Sequence, residues 1–157
     1  MGHHHFELTA RGHLPADTDV DAVLRTGDEL ALHAAWSTFR EVQLVRRLLS
    51  ALDDDPAKAE AAALERASLA ELADVTALQA LEANRRLSDL LTGRRWAVMQ
   101  AAREAGASWT AIGDALGMSK QGALDWYKRK IEQQERHVPA NLHDADRARA
   151  ALTGDDA

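Results

Sequence analysis

The chain contains no cysteine, which excludes a disulfide framework, a thiolate zinc site and a thiol nucleophile. Aromatic residues make up only 4% of the 157 positions, so the core must be built mainly from leucine, valine and alanine. β-Branched residues are few, and no alternating apolar run of strand length occurs beyond the N-terminus. That pattern excludes a β architecture and predicts an all-α chain. No stretch approaches the ~20 consecutive apolar residues of a membrane span. No signal peptide is visible either, so a cytoplasmic location is expected. The length fits one domain or two small ones and suffices for a real core.

What is present begins with residues 1–25, where Gly12 and Pro15 argue against a continuous helix. A flexible arm is expected there. His3, His4 and His5 stand in a row, a composition that can bind zinc or nickel. Beside the initiator they read instead as an appended tag, and no native metal site is expected. A first helix is predicted over 26–52, opened by a Thr26/Glu29 capping box. Its apolar residues Leu32, Ala35, Phe39, Val42, Leu49 and Leu52 recur at steps of three, four and seven, and Trp36, Leu44, Val45 and Leu48 widen the stripe. Asp55 and Pro56 form a good N-cap and first position for a second helix, which is expected to extend towards Leu91. Ser68 with Glu71 spells another capping box inside it. The carboxylates Glu65, Glu71, Asp74 and Glu82 have no Glu-x-x-His partner, and His33 stands alone, so they read as a solvated face. The region 26–92 is therefore a helical scaffold with a face wide enough to hold a second subunit.

The formal net charge of −6 hides an uneven distribution. Residues 1–92 carry 9 basic and 16 acidic side chains, 93–130 carry 7 and 3, and 131–157 carry 3 and 6. Positive charge is concentrated in one stretch, where contact with phosphates would require it.

That stretch reads as a supporting helix followed by two short crossed helices. Thr92 and Gly93 are expected to separate it from the scaffold, with Trp96, Ala97, Ala101 and Ala105 facing inward and Gly106 ending the first helix. Ser108 is placed to cap a helix starting at Trp109, in which Ile112 and Leu116 share a face. Gly117 follows at once, suited to the positive φ of a sharp helix end. Met118 fills the gap, Ser119 caps the second helix, and Ala123, Trp126, Tyr127 and Ile131 mark its inward side. Lys120, Gln121, Asp125, Lys128 and Arg129 are left outside. Pro139 stops any helix, and 136–157 is a weakly helical tail after a unit spanning 93–135.

The 93–130 stretch resembles the helix-turn-helix DNA-binding superfamily, especially bacterial regulators, sigma-factor region 4 and the DNA-binding ends of resolvases. It departs from that pattern at Gly113, where the family usually has alanine. The resemblance implies that the helix over 119–131 enters the major groove of double-stranded DNA while the helix before it crosses the backbone. Lys120 and Gln121 would then read base edges, with Asp125 accepting from cytosine or excluding wrong sites. Ser119, Lys128 and Arg129 would hold phosphates, joined by Arg94 and Arg95. Ile112, Gly113, Leu116, Gly117 and Trp126 would maintain the geometry. One such unit touches few base pairs, so a homodimer through 26–91 on a roughly palindromic site is expected, with no cofactor. The expected role is transcriptional regulation, not catalysis. A helical adaptor of the anti-sigma or antitoxin kind is the alternative.

Overall fold

A computed structural model describes residues 6–154, and the three consecutive histidines lie outside the described residues. The chain is all-α: α1 (Val20–Thr26), α2 (Glu29–Leu52), α3 (Ala59–Ala70), α4 (Ala77–Glu104), α5 (Trp109–Leu116), α6 (Lys120–His137) and α7 (Ala145–Ala150). It divides into two compact units, Met1–Leu90 and Leu91–Ala157. The expected arm and tail each belong to the unit beside them. No helix among the described residues is long and apolar enough to cross a membrane.

In the first unit, α1 and α2 bury Val20, Val23, Leu24, Ala31, Leu32, Ala34 and Ala35 against Ala73, Val75, Ala80 and Ala83. Small side chains at these positions allow close helix approach, and the larger Phe6, Trp36 and Phe39 are only partly buried at the rim. A satellite cluster of Val45, Leu49 and Ala62 joins the far end of α2 to α3. The described part of the N-terminal stretch is not a flexible arm. Leu14 is fully buried, and its amide donates to the hydroxyl of buried Thr38 at 2.9 Å, while that hydroxyl donates to the Ala34 carbonyl at 2.6 Å. Val20–Thr26 then form α1, capped by Asp19. Burying one leucine stabilises by about 1.5–3 kcal/mol, enough to hold a loop whose polar atoms also find partners.

Two expectations about the helices change, the start of the first and the continuity of the second. Thr26 closes α1, its hydroxyl donating back to the Ala22 carbonyl. Asp28 caps α2 instead, accepting from the Ala31 amide at 2.9 Å. The helix expected from Pro56 to Leu91 is interrupted over 71–76. There the Leu14 carbonyl accepts from the Ala73 amide and the Ala16 amide donates to the Glu71 carbonyl, at 2.9 and 3.0 Å. Backbone groups committed to this bridge cannot serve a helical ladder, so the Ser68/Glu71 spelling starts nothing. Thr76 and Gln79 form the capping box that opens α4, each side chain accepting from the other's amide.

α4 continues through Thr92 and Gly93 without a break. A mid-helix glycine costs only about 1 kcal/mol relative to alanine. Leu87 and Leu90 are anchored in the first core and Trp96 and Met99 in the second, one on each side of the glycine. Its inward face in the second unit is also reset. Met99 and Gln100 are buried with Trp96, Ala102 and Arg103 partly so, whereas Ala97, Ala101 and Ala105 are exposed. Gly106 does end the helix run, at φ +92.

Candidate nucleic-acid interface

The second unit is built on aromatic rings. Trp109 is 2% exposed and Tyr127 fully buried, with ring centroids 5.4 Å apart. Met99, Ile112, Ala123, Ile131, Ala148 and Ala151 complete the buried set. Ser108 caps α5 by accepting from the Ala111 amide at 3.1 Å. Gly117 adopts the left-handed conformation, φ +65 and ψ +32, and its amide bonds to the carbonyls of Asp114 and Gly113. Ser119 then caps α6 through the Gly122 amide at 3.0 Å. Three residues thus turn one short helix into the next.

The glycine at 113 has a steric reason. A Cβ there would stand 2.8 Å from the Met118 carbonyl oxygen and 3.1 Å from Ser119 backbone atoms. Backbone passes so close that alanine does not fit without a shift of the turn. Ile112 is buried and Leu116 half-buried on the same face of α5.

This turn fixes which side of α6 is left outside. Ala123, Tyr127 and Ile131 point into the core, and Gln121, Asp125, Lys128 and Arg129 are all exposed. At 100° per residue the last four cluster on the side opposite the buried stripe. Gln121 and Asp125 are in direct contact, the amide nitrogen donating to a carboxylate oxygen at 2.8 Å. Lys120 is exposed but occupies the helical azimuth of Leu124, Tyr127 and Ile131, so it projects from the helix start and not from the ridge. Ser119 is exposed with its oxygen engaged as the cap, which leaves a hydroxyl proton to donate.

Trp126 is half-buried and lies at the flank of the ridge, less enclosed than its expected inward position. Two cations cover its ring: the Arg95 guanidinium at 5.3 Å and the Lys130 ammonium at 5.6 Å from the centroid. Such pairs are worth about 0.5–1 kcal/mol at an exposed site, and they hold positive charge beside α6. Arg94 is exposed on α4. Lys130 was not singled out from the sequence, although its four-residue spacing from Trp126 is a readable signal.

Arg103, one of the seven basic residues of 93–130, has a structural task. It lies over the Trp109 ring at 5.5 Å and donates to the carbonyls of Ala107, Ala151 and Gly154. The C-terminal segment is therefore part of this unit. The Tyr127 hydroxyl donates to the Ala148 carbonyl at 2.7 Å. His143 is buried, edge-on to Trp96 at 5.5 Å. Arg147 grips Glu104 with two bonds of 2.6 and 2.7 Å. Arg149 grips Glu135 in the same way, both at 2.7 Å.

These bonds shift the groups that make them. The Arg147 guanidinium, helped by the Gln100 amide, holds the Glu104 carboxyl down at about 2. The Arg149 guanidinium holds the Glu135 carboxyl below its ordinary value. Burial, reinforced by the Glu104 charge, pushes the Tyr127 hydroxyl up to about 12. Each arginine also neutralises a carboxylate in the unit that carries the exposed ridge. Among the described residues no group of three or more histidines and carboxylates could hold a metal ion. No family model, curated protein or solved structure matches the chain.

Proposed function

We propose that the chain is a sequence-specific double-stranded DNA-binding protein that inserts the N-terminal half of α6 into the major groove, and that it regulates transcription as a homodimer. The observation that carries this reading is the ridge of Gln121, Asp125, Lys128 and Arg129, exposed on a helix held by a three-residue turn against a short capped neighbour. A helix presented in this way matches the width of the major groove. Gln121 reads a base edge, Lys120 reaches a guanine or a phosphate from the helix start, and Lys128 and Arg129 hold phosphates. Arg94, Arg95 and Lys130 extend the cationic flank.

The dimer is proposed through the first unit, which exposes Leu30, Leu44, Leu48, Leu64, Leu78 and Leu81. Its net charge of −7 over residues 1–90 repels the duplex and favours docking through α6.

Selection of bound fragments from random duplex DNA at moderate salt tests the reading. The expected result is one enriched motif with two related half-sites. Failure to enrich any sequence, with no binding at low salt, would transfer the exposed leucines and the ridge to the adaptor reading.

A further inference from the structure

The Gln121–Asp125 contact restricts what Gln121 can read. A carboxylate has acceptor oxygens and no proton to give, so the glutamine amide must turn its nitrogen, not its oxygen, towards Asp125. The 2.8 Å bond from Gln121 Nε2 to Asp125 Oδ1 is this arrangement. It settles the one ambiguity of a glutamine side chain, which end is donor and which acceptor. With one N–H occupied, Gln121 offers the groove a single N–H and a carbonyl oxygen side by side.

Among base edges in the major groove, adenine alone presents the complement, an acceptor at N7 beside a donor at N6. Guanine presents two acceptors, N7 and O6, and would set O6 against the glutamine carbonyl. An unrestrained glutamine can rotate to offer both N–H groups instead, and so tolerates guanine or thymine.

We infer that Asp125 is a positioning residue that locks the Gln121 amide into the orientation that selects adenine, in place of the base contact expected of it from the sequence. The inference rests on the DNA-binding reading above. An i,i+4 contact of this kind is weak on an exposed helix. Its effect grows once the groove excludes water, because the alternative rotamer then leaves the Asp125 carboxylate without a partner.

The test compares duplex selections by the wild-type chain and by Asp125→Asn, Asp125→Ala and Gln121→Ala, each checked for unchanged helix content. The wild type is expected to favour adenine about tenfold at one position of each half-site. Asp125→Asn presents an N–H donor as well as an acceptor oxygen, so the Gln121 amide can pair with it in either orientation, and most of the preference should be lost. Asp125→Ala should lose most of it and gain guanine or thymine at that position alone, and Gln121→Ala should lose it entirely. An unchanged adenine preference in Asp125→Ala would overturn the inference. So would a full adenine preference in Asp125→Asn, since the lock requires a partner with no proton to give. A wild-type chain with no affinity for DNA overturns the underlying reading and this inference with it, an outcome distinct from the other two.

Discussion

The two units solve the same problem with different materials. The first packs helices closely on alanine, valine and leucine, and fastens its loops through backbone bonds such as those between 14–16 and 71–73. The second places Trp96, Trp109, Trp126 and the only tyrosine around one centre, and closes it with side-chain bonds from Arg103, Arg147 and Arg149. In the second unit large rings and long arginines add buried area and bonds to the close backbone approach at Gly113. The contrast also explains why charge is sorted: arginine is structural in the second unit as well as available on its surface.

The strongest way to break this contrast is to remove the centre of the second unit. Tyr127→Ala deletes a fully buried ring and the hydroxyl bond to Ala148, and should cost about 3–5 kcal/mol. Denaturant unfolding followed by tryptophan fluorescence should then show early loss of the signal dominated by Trp96, Trp109 and Trp126. Far-ultraviolet ellipticity from the first unit should persist to higher denaturant. Deleting residues 138–157 should act in the same direction, because His143, Ala148 and Ala151 leave the core with them.

Glycines give a sharper comparison. Gly113→Ala forces a Cβ against the Met118 carbonyl and should destabilise by about 1–3 kcal/mol despite better helix propensity. Gly93→Ala meets open space in the middle of α4, and should stabilise by about 0.5–1 kcal/mol. Thermal melts of the two variants should move in opposite directions. A stabilising Gly113→Ala would remove the close approach as the reason for glycine there.

Smaller effects follow from pH. Glu104 has its folded pKa depressed to about 2, so the stability it contributes is fully present above its ordinary value near 4.5 and is lost as pH falls towards 2. Tyr127 is the reverse case, raised to about 12. Its contribution is complete below about 10 and disappears as pH rises through 12. Glu104→Gln should weaken the acid-induced loss in the second unit and move the alkaline one to lower pH, because the Glu104 charge helps to keep the Tyr127 hydroxyl protonated. Equilibrium unfolding at a series of pH values measures both.

The parts legible in the sequence are those decided within a few residues. Ser108, Gly117 and Ser119 act locally, and each cap or left-handed turn is where the spacing places it. Asp55 likewise caps the short 3-10 turn at Pro56–Lys58 before α3. The break at 71–76 is set by a partner strand of backbone more than fifty residues away, and no local pattern announces it. Gly93 misled for the opposite reason: a local helix breaker was overridden by anchors in both cores. The Gln121–Asp125 contact is a simple four-residue spacing, readable in principle, whereas the arginine grips on Glu104 and Glu135 required the fold.

The most direct measurement is the affinity of the wild-type chain and of a Lys128→Glu/Arg129→Glu variant for a random duplex across a salt series. The wild type is expected to bind with an affinity that falls steeply and linearly on logarithmic axes, and the variant to bind more weakly with a slope smaller by about two phosphates. Wild-type affinity and slope retained in the variant would contradict the proposed placement of α6 against DNA.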